Sequence, residues 1–332
     1  MFYSRSGSMT KILSVSVAAY NVSKTIAQCL DSFINSQYLK DFEVIVVNDG
    51  SKDETVDIVS TYVKDYPDTI RLVDKENGGH GSTINAALRV AQGKYFKVVD
   101  GDDWVDTKEF DKLIEFLKET NVDLVLNDYL EVYPKHSQKV DVLRKYELNQ
   151  EYAFKDMDPN YYIPMHATTI KLTRYKEVEE SISEHRFYVD TEFVAFLAMA
   201  ADSIAFHDAC VYQYRLGSEG QSVSDEGKYK HIEDLIFVVE RLIKFYHDKV
   251  ISLSDEVKKN YIFHIIESRY LMVFYWFVRF SKSDKDYMLK EFDCNMRSNY
   301  PEIVNQMHLG KHKIYRINYG TLLKIARVIK AF

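Results

Sequence analysis

The chain has 332 residues, 46% of them hydrophobic and 28% charged, which is enough apolar material for one sizeable core with an extension or for two cores. Its 43 basic and 50 acidic residues leave a net charge of −7, which argues against general nucleic-acid binding through a basic surface. Cys29, Cys210 and Cys294 are too few and too far apart for a disulfide framework or a zinc site, so a reducing cytoplasm is the expected setting.

The opening residues 1–9, MFYSRSGSM, show neither the charge-then-apolar order of a secretory signal nor a structural period, and Gly7-Ser8-Met9 reads as a tag remnant before a start at Met9. From Ile12 to Tyr133, short apolar runs alternate with amphipathic segments, the pattern of a parallel sheet with crossover helices. The expected strands are ILSVSVA, FEVIVVN, IRLVD, YFKVVD and DLVLNDYLEVY. Between them Val56, Val59 and Val63 share one helical face, as do Phe110, Leu113, Ile114 and Leu117. Such a sheet collects ligands at the loops that follow its strands. Six of the 12 glycines fall between Gly50 and Gly101, in those loops.

The second expected strand ends in VVNDGSKDET, residues 46–55. Gly50 turns the chain, and Ser51 or Asp53 can cap a helix that begins near Glu54. A capped turn has no need of Asp49. A carboxylate at a strand end can accept the imide N–H of a uracil, and that role is assigned to Asp49.

Next comes ENGGHGSTINAAL, residues 76–88. Its glycines lead into a helix expected to be capped by Ser82 or Thr83, and free backbone N–H groups there, Gly79 among them, could face a phosphate or sugar. His80 reads as an ordinary loop histidine.

The strongest signal is VVDGDDWVD, residues 98–106. Asp100, Asp102 and Asp103 crowd three carboxylates directly after an apolar strand. Such a cluster repels itself without a cation, and its hard oxygen donors suit Mn2+ or Mg2+. A bound ion would bridge diphosphate oxygens and neutralise the charge of a departing nucleotide. An ordinary acidic turn is the bland alternative.

These segments, with VSVAAYN at 15–21, resemble in order and spacing the family 2 glycosyltransferases of the GT-A fold, over residues 12 to about 130. The resemblance implies a Rossmann-like nucleotide-sugar domain over 10–134. Ala19, Tyr20, Asn21, Asp49, Gly79, Asn85 and Asp100 would then contact the donor, and Asp100, Asp102 and Asp103 the metal. Two departures stand out. Ile84 occupies the place where members commonly carry an arginine that grips the donor, leaving Lys75 or Arg71 to replace it, and Ala18 stands where a proline is usual.

Beyond Pro134 the resemblance weakens, and residues 135–227 are expected to complete the domain on the acceptor side. FYVDTEF, residues 187–193, matches the family's Glu-Asp pair with Val189 in place of the glutamate. This implies Asp190 as catalytic base and Glu192 as the second candidate. VYQYRLGSEGQSVS, residues 211–224, resembles a Tyr-x-Tyr-Arg strand with a Ser-rich loop, so Arg215, Gln221, Ser222 and Ser224 could meet the diphosphate or acceptor. His166 and His207 read as structural or acceptor-facing rather than as metal ligands. Tyr161, Tyr162 and Tyr188 could stack on a sugar acceptor.

Residues 228–332 read as helices, and the stretch Tyr261–Phe280, interrupted by His264, Glu267, Arg269 and Arg279, as a buried or interface helix rather than a membrane span. The last segment, 311–332, holds six basic residues and no acidic one, with Leu322, Ile325, Ile329 and Phe332 on one stripe. It could rest on an anionic membrane surface, which would make the protein peripheral at the inner face of the cell membrane, or pack as a terminal helix or homo-oligomer contact.

The expectation is an inverting, metal-dependent transferase that moves a sugar from a UDP-sugar to a saccharide, a glycolipid or a glycoprotein glycan. Two alternatives compete. A sugar nucleotidyltransferase would carry a Gly-rich basic loop after the first strand, and VAAYNVSK has no glycine. A non-catalytic nucleotide-sugar-binding or membrane-scaffolding subunit would have no need of Asp100, Asp102 and Asp190.

Overall fold

The computed structural model describes residues 11–142, 145–217, 225–280 and 285–310, together with Arg316 and Tyr319. The chain divides into two compact units. The first takes the described residues up to Phe154 and adds Tyr162–His185 and Ala200–Leu216; the second takes Lys155–Tyr161, Arg186–Met199 and the chain from Gly217 onward.

The first unit opens with β1 (Leu13–Ala19), α1 (Ile26–Ile34), β2 (Phe42–Asp49), α2 (Thr55–Asp65), β3 (Ile70–Lys75), α3 (His80–Val90) and β4 (Tyr95–Asp100). There follow β5 (Trp104–Val105), α4 (Thr107–Glu119), β6 (Leu124–Val132), β7 (Ser137–Val140), β8 (Glu151–Ala153), β9 (Thr168–Lys171), α5 (Leu172–Lys176) and, later in the chain, β10 (Ser203–Arg215). All five strands expected from the apolar runs form. Their sheet runs β3-β2-β1-β4-β9-β6-β10-β5, with β7 on β6 and β8 on β10.

The strands β3, β2, β1 and β4 are parallel. Every residue of β2 is buried, the mark of a strand covered on both faces. Phe33 of α1 and Phe110 of α4 meet Phe42 of β2 edge-on or tilted, with centroids 5.0–6.4 Å apart. Asp106 starts α4 by accepting the N–H groups of Lys108 and Glu109.

The sheet departs from the all-parallel expectation at β9. This strand pairs antiparallel with both β4 and β6 and so lies between them. Beyond residue 135, β7 to β10 join the same sheet.

The second unit is helical. It holds most of α6 (Asp190–Ala200), then α7 (Asp225–Lys230), α8 (Ile232–Phe245), α9 (Glu256–Arg279), α10 (Asp286–Asn299) and α11 (Pro301–Val304). The apolar stripe of α8, from Ile232 through Leu235, Val238, Val239 and Leu242, is buried. Asp255 caps α9 through Val257 and Lys258. No described helix is long and apolar enough to cross a membrane.

Candidate active site

Parallel pairing brings the carboxyl ends of three strands together. Ala18 of β1 is level with Asp100 of β4, and Ala19 with Asn48 of β2. The loop after β1 is stitched to the loop after β2. Asn21, in the left-handed region at φ 53°, donates its N–H to Ser51 Oγ and accepts Lys52 N–H at 2.7 Å. Asn21 therefore shapes this loop. Tyr20 stands out of it, 52% exposed, beside the buried Ala19. Asp53 accepts Ser23 N–H and Thr55 N–H, so it joins the same two loops as it begins α2.

Asp49 is buried, and both its oxygens are taken. Oδ1 accepts Gly78 N–H and Lys75 Nζ at 2.8 Å and Ser82 Oγ at 3.2 Å, while Oδ2 accepts Gly79 N–H at 2.8 Å and Asn77 Nδ2 at 3.1 Å. These five donors more than fill the roughly four lone-pair sites of a carboxylate. Asp49 thus anchors the glycine-rich loop. Gly79, at φ 79°, spends its N–H on Asp49 rather than on a phosphate.

The helix begins at His80, so Ser82 and Thr83 lie inside it and do not cap it. Lys75 and Arg71, the candidates for the missing arginine's place, both have protein partners. Lys75 is held by Asp49, Ser82 and the Glu76 carbonyl, and Arg71 by Glu43 and the Val90 carbonyl. Asn85 bonds within the protein. Its amide accepts Ile182 N–H at 2.9 Å and donates to the Ile182 carbonyl at 2.8 Å and to Glu184.

The loop's product is His80, whose Nε2 lies 2.8 Å from Asp100 Oδ1. Asp100 stands at the end of β4, and its backbone N–H donates to the Tyr212 hydroxyl oxygen. The Tyr212 hydroxyl donates to Asp103 Oδ2 at 2.6 Å, and Arg215 N–H donates to Asp103 Oδ1 at 2.7 Å. The Arg215 guanidinium bonds the Asp102 carbonyl and Gln28 and lies over the Trp104 ring, so it braces the acidic turn.

Electrostatics separate the three carboxyls. Burial, then the charges of Asp100 and Asp102, push Asp103 up to about 9. Burial and the Asp100 charge raise Asp102. Burial alone would raise Asp100 too, but the charge and hydrogen bond of His80, with His166 and Tyr212, hold it below the usual carboxylate value. The cluster stores repulsion that a cation would relieve.

His166 lies beside this cluster. Ligand atoms of Asp100, Asp103 and His166 lie within 4.8 Å of one another. Two further residues went unread. Tyr212 was taken only as part of a strand motif. Lys97 is fully buried in β4, and its signal was a charge inside the apolar run YFKVVD. Its ammonium bonds the His166 and Thr168 carbonyls, and burial pulls it down to about 7. His207 keeps its structural reading, stacked on Phe116 with Nδ1 on Asn149.

In the second unit, Asp190 is the first residue of α6 and partly exposed. Glu192, the second candidate base, lies on the same helix. Its side chain is fully buried and paired with Arg241 at 2.5 Å. Tyr188 packs edge-on against Trp276, whereas Tyr162, in the first unit, is 67% exposed. Gln221, Ser222 and Ser224 lie outside the described residues, as does most of 311–332. Of that tail, Arg316 and Tyr319 close on the buried Asp293 of α10, which favours packing at this end of the segment.

Solved structures share this fold at low identity. Staphylococcus aureus TarS 1–349, solved with UDP-GlcNAc, superposes with a TM-score of 0.57 at 18% identity, over 88% of this chain and 90% of that one. The mannosyltransferase PcManGT of Pyrobaculum calidifontis, solved with GDP-Man and Mn2+, gives 0.53 at 16%, over 96% and 86%. In sequence, the uncharacterized glycosyltransferase EpsJ of Bacillus subtilis is 38% identical over 117 residues, 35% of this chain and 33% of its own length. The putative glycosyltransferase EpsH of the same organism is 26% identical over 220 residues, 62% of this chain and 61% of its own. The matched stretch is thus under two thirds of either relative. The model of the family described as "Glycosyl transferase family 2" matches residues 14–180, just over half of the 332-residue chain. With the GT-A architecture of its sheet unit, the protein belongs to glycosyl transferase family 2.

Proposed function

We propose that the chain transfers a sugar from a UDP-sugar to a hydroxyl of a glycan, glycolipid or glycoprotein acceptor, with inversion and with a divalent ion, as one step in building a surface polysaccharide or related glycan. The observation that carries this reading is the acidic turn Asp100–Asp103, braced by Tyr212 and Arg215 at the carboxyl edge of the sheet in a family 2 chain. UDP-GlcNAc and GDP-Man in the neighbouring structures support the nucleotide-sugar class of donor.

The donor set fits a divalent cation. Crowded carboxyls, half-buried in Asp100 and Asp102 and buried in Asp103, are groups that bind Mn2+ or Mg2+, and Asp100, Asp102 and Asp103 would hold it. When bound, the ion supplies charge to the departing diphosphate. The chain's own residues do the rest. The Tyr20 loop and the anchored glycine-rich loop border the nucleotide, and Arg215 keeps the acidic turn in place. Asp190 takes the proton of the acceptor hydroxyl as that oxygen attacks the anomeric carbon. Unlike a glycosidase, the site need not protonate its leaving group. The setting would be cytoplasmic, and peripheral at the membrane if residues 311–332 bind lipid.

A panel of UDP- and GDP-sugars tests this by thermal shift and donor hydrolysis, each with and without Mn2+. A UDP-sugar that raises the melting temperature and is hydrolysed only with metal is the expected result. Stabilisation without turnover under any condition would indicate a binding subunit. Preference for GDP-sugars would overturn the donor assignment.

A further inference from the structure

We propose that the divalent ion is held by a mixed set in which His166 supplies an imidazole nitrogen beside the carboxylates of Asp100 and Asp103. This rests on the metal-dependent reading above and adds a ligand outside the acidic turn.

Three features of the fold converge on it. The ligand atoms of the three residues lie within 4.8 Å of one another. Two donors on one ion, each at about 2.1 Å, stand at most about 4.2 Å apart. Three donors around one ion stand about 3–4 Å apart, so the set closes on an ion with a contraction of about an ångström. Next, the imidazole is held by its faces: Tyr214 stacks on it at 4.3 Å, and Tyr212 and Tyr129 flank it at 4.7 and 5.5 Å. Tyr212 also holds Asp103, so one side chain sets two members of the group.

The third feature is Lys97. A fully buried ammonium is costly, and this one bonds the His166 carbonyl at 2.9 Å and the Thr168 carbonyl at 3.2 Å. It fixes the turn at Met165–Ala167 that presents His166 at the start of β9. On the other side His80 bonds Asp100, the kind of contact that orients a ligating carboxylate. His80 is thus assigned to positioning, and the nitrogen ligand to His166.

A nitrogen donor has a consequence for metal choice. Mg2+ favours an all-oxygen shell, whereas imidazole suits later transition ions. The site should prefer Mn2+ or Co2+ to Mg2+.

Pulsed EPR of the full chain loaded with Mn2+ and UDP is the direct test. Nitrogen-14 modulation from a coordinated imidazole is expected in the wild type and in His80→Gln, and its loss in His166→Gln. Mn2+ affinity should fall on the order of 10–100-fold or more in His166→Gln, with Mg2+ affinity far less affected. The wild-type spectrum does not depend on any variant folding. Bound Mn2+ without nitrogen coupling would overturn the role of His166 and leave the metal-dependent reading intact. Coupling lost in His80→Gln but kept in His166→Gln would assign the ligand to His80. No Mn2+ binding with UDP present would overturn both readings.

Discussion

Asp49 and Gly79 are joined by a 2.8 Å hydrogen bond in which the glycine N–H donates to Oδ2, while Oδ1 takes Gly78 N–H and the Lys75 ammonium. The carboxylate is the peg on which the glycine-rich loop hangs. Asp49→Asn should therefore destabilise the nucleotide-free protein by about 2–4 kcal/mol, because it breaks a largely buried ion pair and leaves Lys75 without its counter-charge. Chemical denaturation without ligand reads this. An unchanged midpoint combined with lost UMP affinity would return Asp49 to base recognition.

The other side of the same loop is built on close approach. A Cβ on Gly81 would lie 2.0 Å from the Ser183 carbonyl oxygen and 2.7 Å from Ile182 Cγ2. Alanine is intrinsically better in a helix by about 1 kcal/mol. Here the backbone contact should win, and Gly81→Ala should lower stability by more than about 2 kcal/mol. Asn85→Ala should act in the same direction, by about 1–3 kcal/mol, since it strands the buried N–H and C=O of Ile182. UDP affinity of the folded Asn85→Ala protein should stay near wild type. A selective loss of UDP affinity without loss of stability would restore Asn85 as a donor contact.

His207 gives a pH dependence away from the acidic turn. Burial lowers its pKa below the ordinary 6.5, so the folded protein holds it neutral. Its contribution to stability is therefore complete above about pH 6.5. As pH falls below that value the unfolded chain takes up a proton that the folded chain refuses, and stability drops until the folded pKa is passed. The slope from this one group is at most about 1.4 kcal/mol per pH unit. Denaturation midpoints at pH 7.5 and 5.5 should show the fall, and His207→Phe should reduce it. An equal fall in the variant would assign the effect to other histidines.

What the sequence disclosed follows from how the information is encoded. The buried strands β1, β2 and β4 are written as apolar runs and were legible, as was the acidic turn, whose three carboxyls adjoin in the chain. The strand β9 was not, because TTIK is four residues with two hydroxyls and takes its place only from the partners on either side. The same insertion carries His166 to Asp100 and Asp103, a meeting of residues that no local spacing records. The partner of Glu192 is hidden for a related reason. On the helix that begins at Asp190, Glu192 points to Arg241 of α8, a partner distant in sequence.

That pairing sharpens the test of the base. Asp190 is the first residue of α6 and partly exposed, whereas Glu192 is fully buried against Arg241. A group that takes a proton from an acceptor hydroxyl must reach it, and of the two side chains Asp190 is the one with exposed surface. Asp190→Asn keeps size and shape but removes the proton acceptor, so turnover should fall on the order of 10²–10⁴-fold. Affinity for UDP with Mn2+ and the melting temperature should barely change. Glu192→Gln should show the reverse pattern. Leaving Arg241 without its partner should cost about 3–5 kcal/mol of stability, while the folded fraction turns over at near the wild-type rate. Measuring kcat, UDP affinity and denaturation midpoint for both variants separates the two roles. Near wild-type turnover in Asp190→Asn would remove Asp190 as the base. Loss of UDP affinity in that variant, without loss of folding, would place Asp190 on the donor side instead.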